Sequence, residues 1–141
     1  MEPSHLGSYN SIMTIAHEAW LVVKYKINER LRFERNLHNQ NIEFYIPRIF
    51  TNTLKGSNKK SEALFPGYGF VRLANTNLQA LGNTLGLISI IRFGDQFAIA
   101  EDSMITQFKE LEYSPEIQPI SAKRLAKDDM ALVTAGPFKG Y

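Results

Sequence analysis

Acid–base and metal-binding residues are few in this chain and poorly spaced for chemistry. The three histidines, His5, His17 and His38, are too scattered to form the paired ligands of a helical zinc motif. Glu101-Asp102 and Asp128-Asp129 are adjacent acidic pairs, which capping and turn chemistry explains better than an acid–base couple does. There is no glycine-rich phosphate loop and no nucleophile elbow. The sequence therefore predicts a protein that is not an enzyme and has no cofactor or metal.

Length, charge and composition narrow the class of protein further. The 141 residues suffice for one main domain with extensions. The absence of cysteine excludes disulfides and cysteine nucleophiles and suits a reducing cytoplasm. A net charge of only +2 means that any nucleic-acid role must depend on a local patch or on a protein partner. No apolar run approaches the roughly 18 to 20 residues of a membrane span, so we expect a cytoplasmic protein that does not bind membranes.

The most informative stretch is an aromatic corner, defined as residues 64–70 with the sequence Leu-Phe-Pro-Gly-Tyr-Gly-Phe. Pro66 fixes φ and Gly67 permits a turn. We therefore expect Phe65 and Tyr68 on opposite sides of a sheet, one in the core and one on the surface. An exposed aromatic ring suits protein binding because it buries a large area at small entropy cost. Simple core packing is the alternative for any one of these residues.

Local patterns predict an α+β fold. The near-continuous apolar run over residues 19–25 is typical of a strand covered on both faces. The other predicted elements are a helix over 29–39 capped by Asn28, strands over 42–46 and 68–73, a short helix within 75–87, a strand over 88–93 and a helix over 102–111. Residues 51–61 are expected to form an exposed hairpin tip. This order predicts helices packed against a mostly antiparallel sheet.

The two ends of the chain are predicted to lie outside this domain. Residues 1–18 lack periodicity and are expected to be a poorly ordered leader, which leaves the domain at 19–112. Residues 113–127 are interpreted as a linker, extended over 113–121 because of Pro115 and Pro119.

Several motifs of this chain occur in the order found in the NusG family of transcription elongation factors. They are Trp20-Leu21-Val22-Val23, the aromatic corner, Ile91-Arg92-Phe93-Gly94 and Ala135-Gly136-Pro137-Phe138-Lys139-Gly140. The chain resembles this family, and within it most resembles the specialised RfaH-type antiterminators. The general NusG factor is the alternative within the family.

The resemblance implies a particular fold. The family's N-terminal domain, the NGN domain, is a ferredoxin-like α+β unit with an antiparallel sheet flanked by helices. Residues 128–141 are similar to the first strand and turn of a KOW module, an SH3-like barrel. Because one strand cannot form a sheet, we expect this KOW part to be incomplete.

The resemblance also implies a partner and a binding surface. In the family, the NGN domain binds the clamp helices of the largest RNA polymerase subunit, reaches toward the second-largest subunit and reduces pausing. The matching surface would contain Pro66, Tyr68 and Phe93, with Tyr25 or Lys24 nearby. We expect a monomer whose partner is RNA polymerase.

RfaH-type members also contact the exposed non-template DNA strand. The matching positions here are Lys26, Gln40 and Thr84-Leu85-Gly86, but Leu85 stands where the family usually has arginine. Leucine cannot pair with a phosphate or a guanine edge, which weakens the case for sequence-specific readout. Phosphate contacts could come from one arc of the predicted helix, and an ordinary solvated face is the alternative. That polar arc consists of Arg32, Arg35, Asn36 and Asn39.

A ribosomal or RNA-binding KOW protein is the alternative of another class. It would account for the C-terminal motif. Such a protein is normally much more basic, however, and the ordered N-terminal motifs would be unexplained.

Overall fold

A computed structural model describes residues 19–52, 59–74, 76–112, 119–130 and 133–139. A 3-10 turn over Ile27–Glu29 precedes α1. The strands and helices are β1 Ala19–Tyr25, α1 Arg30–Asn39, β2 Phe44–Tyr45, β3 Arg48–Asn52, β4 Lys59–Ala63, β5 Tyr68–Arg72, α2 Leu78–Gly82, β6 Leu87–Ile90, β7 Arg92–Phe93, β8 Gln96–Glu101, α3 Asp102–Glu112, α4 Pro119–Met130 and β9 Thr134–Lys139.

β1 is the central strand, and its side chains alternate between two buried faces. Leu21, Val23 and Tyr25 belong to a cluster on the first face, whereas Trp20 and Val22 belong to a cluster on the second. β1 pairs with β5 along one edge and with β8 and β6 along the other, always antiparallel. The expectation of a strand covered on both faces is confirmed.

The main sheet has the strand order β2-β5-β1-β8-β7, with β6 also paired to β1 and β9 to β8. The predicted strand over 88–93 is divided at Ile91. Its first part, β6, pairs with β1, and its second part, β7, pairs with β8. The Ile91 N–H donates to the Val22 carbonyl at 2.8 Å, and its carbonyl accepts from Ala98 N–H at 2.9 Å. Ile91 therefore bridges two neighbouring strands.

Helices cover both faces of the sheet. On the first face, Phe33 and Leu37 of α1 and Leu81 of α2 are buried. On the second face, α3 buries Phe108 and α4 buries Ala126. The predicted α+β class, an antiparallel sheet flanked by helices, is thereby confirmed.

The start of α1 differs from the sequence expectation. Asn28 was expected to cap this helix, but it lies inside the 3-10 turn, and no side chain at the N-cap position Glu29 makes a capping hydrogen bond. The helix is held instead by packing, because Tyr25 stacks on Phe33 with ring centres 5.5 Å apart. The predicted short helix α2 does have a cap, Asn77, whose side chain accepts hydrogen bonds from two backbone N–H groups.

β3 and β4 form a separate antiparallel hairpin, in which Arg48 pairs with Ala63 and Asn52 with Lys59. This agrees with the expected hairpin, although its tip at 53–58 lies outside the described residues.

Part of the segment predicted to be an extended linker is helical, and the linker assignment of 113–127 as a whole stays a prediction. Residues 119–121 belong to α4, whose Ala126 is buried against the second face. β9, in the segment interpreted as the start of a KOW module, pairs with β8 of the main sheet. Residues 1–18 and 113–118 lie outside the described residues, and the domain boundary after 112 stays a prediction.

Within the part of the chain that the structure describes, no helix is both long enough and apolar enough to cross a membrane.

Candidate functional site

Phe65 and Tyr68, the aromatic residues on either side of Pro66-Gly67, lie on the same face of the sheet. The expectation that they lie on opposite sides of the sheet is therefore wrong. Phe65 and Tyr68 are each half-buried against the cluster on the second face. The Tyr68 N–H donates to the Phe65 carbonyl at 3.0 Å, which shows that the chain reverses tightly around Pro66-Gly67. Phe65 meets Phe108 of α3 edge-on at 5.4 Å. Phe65 therefore anchors the corner.

Tyr68 stands in a row of side chains that the helices leave partly open. Its register partner on β1 is Lys24, whose partner on β6 is Ser89, and paired residues share a face. Lys24 and Ser89 are exposed, and the Lys24 ammonium lies 5.9 Å from the centre of the Tyr68 ring. The two residues expected to act together are thus neighbours.

Phe93 lies on the same face as Tyr68. It pairs with Gln96, which lies two residues before the buried second-face residue Ala98 and therefore on the same face of the sheet. Phe93 is 49% exposed. Pro66 is exposed at the corner itself. We call the set Lys24, Pro66, Tyr68 and Phe93 the corner patch.

Tyr25 does not belong to this patch. It is only 2% exposed and lies on the first face, one residue out of phase with Lys24. Burial raises the pKa of its phenol, an effect that a hydrogen bond with the backbone of Gly67 partly offsets. Its burial leaves Tyr25 little surface for the polymerase contact predicted for it, which stays a prediction, and its ring stacks on Phe33 of α1.

The polar arc of α1 lies on the side of the helix away from the core. Arg32, Arg35 and Asn39 are exposed and Asn36 is half-buried, as their spacing of three and four residues requires. Arg32 donates to Glu29 at 2.9 Å, and this bond is the main reason why the pKa of Glu29 lies below its usual range. Lys26 shares the same carboxylate at 3.4 Å. Two of the expected cations are therefore positioned by one acid.

Thr84 and Gln40 are joined by a side-chain hydrogen bond that holds the loop, although Gln40 itself is exposed. Thr84 is buried, and its hydroxyl accepts from Gln40 Nε2 and donates to the Ala80 carbonyl, both at 3.0 Å. Gln40 Nε2 also donates to the Asn36 carbonyl at 3.1 Å. Thr84 therefore offers little surface for the DNA contact predicted for it, whereas Leu85 of the same loop is exposed; that contact stays a prediction.

Residues 18–109 match the family model described as transcription termination factor NusG. The chain belongs to the NusG family. This membership makes it a factor of transcription elongation or termination, whose general partner is RNA polymerase and whose relatives act without catalysing a reaction. No curated protein matches the chain. Among the described residues, no group of three or more His, Asp or Glu could hold a metal ion.

Two exposed aliphatic side chains beside the corner patch, Ile27 and Ile88, were not predicted from the sequence as candidate binding residues. Ile88 was an ordinary member of the predicted strand over 88–93, and Ile27 lay between the predicted strand over 19–25 and the predicted helix over 29–39. Ile88 is in fact the extra residue of a β-bulge, because Tyr25 pairs with Leu87 while Lys24 pairs with Ser89. No feature of the sequence marks a bulge at this position.

Proposed function

We propose that this NusG-family chain is an RfaH-type elongation factor and antiterminator. In this proposal the corner patch binds the clamp helices of the largest RNA polymerase subunit, with a further contact toward the second-largest subunit, and the bound factor suppresses pausing. A cytoplasmic location and a monomeric state go with this role.

The observation that carries the proposal is that Tyr68, Phe93 and Lys24 lie on the same face of the sheet, where Lys24 and Phe93 are exposed and Tyr68 is half-buried. Aromatic rings are the usual anchors of protein interfaces, because they bury much area with few rotatable bonds. Tyr68 lies on β5 and Phe93 on β7, and each of these strands is hydrogen-bonded within the sheet. The backbone that carries the two rings therefore loses little conformational freedom on binding.

The test is the affinity for purified core RNA polymerase. Tyr68→Ala and Phe93→Ala should each weaken binding by about 1 to 3 kcal/mol, which is typical of a lost aromatic anchor. The matched control is Phe50→Ala, because Phe50 is also 49% exposed but lies on the separate hairpin. A folded Tyr68→Ala variant that binds polymerase as tightly as the parent would contradict the proposal.

A second contact, to the non-template DNA strand, is proposed for the polar arc with Lys26. Its support is the exposed position of Arg32 and Arg35 on one side of α1. With Leu85 at the adjoining loop, we expect contacts mainly to phosphates. The general NusG factor is the alternative within the family.

A further inference from the structure

A groove of about 500 Å³ opens beside the corner patch, at the C-terminal end of β1. Its apolar lining comes from three separate segments: Ile27 of the 3-10 turn, Pro66 of the aromatic corner and Ile88 of β6. Ile27 is 62% exposed and Ile88 is 51% exposed. Single exposed aliphatic residues are ordinary on protein surfaces, but several around one concavity indicate a binding site.

The walls of the groove are held in place by the backbone. The Tyr25 N–H donates to the Gly67 carbonyl and the Lys26 N–H donates to the Gly86 carbonyl, each at 2.8 Å. These two hydrogen bonds fix the turn at Gly67 and the loop at Gly86 to the C-terminal end of β1. Because Ile88 is the unpaired residue of the bulge, its direction is set by the strand pairing on either side. A site of this kind loses little entropy when it is filled.

The charges around the groove favour an acidic occupant. Lys24 and Lys26 are in the lining, and the acidic residue of the lining, Glu29, is already held by Lys26 at 3.4 Å and by Arg32 at 2.9 Å. This leaves an excess of positive charge at the rim. Complementary charge on a partner would steer its approach and fix its register.

The lining favours a protein over a nucleic acid. Single-stranded nucleic acid is usually bound by stacking bases on exposed aromatic rings. Tyr25 is the aromatic residue of this lining, and its ring is buried. The exposed apolar groups are aliphatic and therefore suit an aliphatic side chain.

We infer that this groove receives an aliphatic side chain, flanked by aspartate or glutamate, from the same protein that covers the corner patch. Lys24 and Pro66 belong to both surfaces, so one partner can occupy them together. The inference rests on the proposed function, in which that partner is RNA polymerase.

The experiment measures binding of purified core RNA polymerase, free of nucleic acid, to the full chain. Ile27→Ser/Ile88→Ser should weaken binding about tenfold, mainly through faster dissociation, because an apolar anchor is lost. The matched control is Leu31→Ser/Leu125→Ser, which removes exposed aliphatic groups that are absent from the groove lining. This control should bind like the parent.

Two further variants test the charge argument. Ile88→Glu places a negative charge against the acidic flank and should weaken binding at least as much as the serine pair. Since Ile88 is exposed and unpaired, this variant also serves if the serine pair fails to fold. Lys26→Glu should slow association with polymerase, whereas Lys26→Arg, which keeps the positive charge, should slow it less.

The outcomes separate this inference from the proposed function. If Tyr68→Ala loses polymerase binding while Ile27→Ser/Ile88→Ser and Ile88→Glu bind like the parent, the groove inference is overturned and the proposed function stands. If none of these variants changes binding, both are overturned. If the serine pair keeps polymerase affinity but loses affinity for a labelled single-stranded DNA, the occupant is a nucleic acid and the inference is wrong.

Discussion

At the scale of single residues, alternation along β1 decides which side chains can reach a partner. The sequence predicted a strand buried on both faces, and it offered Tyr25 and Lys24 equally as neighbours of the corner patch. In the structure Lys24 is the residue that pairs with Tyr68, so its side chain lies on the same face as Tyr68, whereas the side chain of Tyr25 lies on the opposite face. Sequence alone could not make this choice, because it depends on the register between strands that are far apart in the chain.

Trp20 shows that a recognisable motif residue can serve stability rather than binding. It is 1% exposed, its indole N–H donates to Asp102 at 2.9 Å, and the Arg72 guanidinium lies 4.5 Å from its ring centre. Trp20→Ala should lower the free energy of unfolding by roughly 3 to 5 kcal/mol. Trp20→Phe keeps a ring and should lose less. Urea denaturation measures both, and unchanged stability of Trp20→Ala would contradict its assignment to the core.

The buried phenol of Tyr25 predicts a loss of stability at alkaline pH. Its pKa is raised above the ordinary value of 10.0, so the folded protein retains a proton that the unfolded chain releases. This contribution is complete below the unfolded pKa and is lost as pH rises through the folded one. Tyr25→Phe should therefore lose less stability than the parent between neutral pH and pH values above about 10. Equal losses in denaturant titrations at the two pH values would contradict the prediction.

At the scale of elements, the sequence predicted the helices and strands that have a clear hydrophobic periodicity. It did not predict the elements whose formation depends on pairing or packing with other parts of the fold. β8 has a short apolar core, Phe97-Ala98-Ile99-Ala100, without clear alternation or many β-branched residues. It forms a strand because β1 and β9 supply hydrogen bonds along its length. In α4, Pro119 was taken as a linker signal, although proline is well tolerated at the first position of a helix. Ala126 and Met130, four residues apart, were the available sign of a helix.

Gly86 tests how the loop after α2 is fixed to α1. Its φ is +92°, and an added Cβ would lie 2.8 Å from Phe33 Cβ. Gly86→Ala should therefore be destabilised by more than the roughly 1 kcal/mol expected for a positive φ alone. Gly94→Ala is the matched control, because its φ is +66° but the space around it is open. Equal losses of unfolding free energy in the two variants would show that the contact with α1 does not constrain the loop.

At the scale of the whole molecule, a net charge of +2 limits what DNA binding can contribute. The cations proposed for the non-template strand are few, and Glu29 already pairs with both Lys26 and Arg32. Non-specific attraction to phosphates grows with the number of cations that replace counterions. Recruitment should therefore depend mainly on polymerase affinity, with the DNA contact as a supplement.

This balance predicts the behaviour of paused elongation complexes that carry different non-template sequences. Arg32→Ala/Arg35→Ala should weaken binding of the protein to the paused complex equally for every non-template sequence. It should also reduce the slope of log affinity against log salt by about 1.4, or roughly 0.7 for each lost phosphate contact on a single strand. Leu85→Arg restores the donor that the family usually has, on a loop already held by Thr84 and Gly86, and should introduce a sequence preference. The parent should show little preference, because Leu85 has no donor for a base edge. Strong discrimination by the parent that survives removal of both arginines would contradict a phosphate-based contact and would place the readout on residues outside the polar arc.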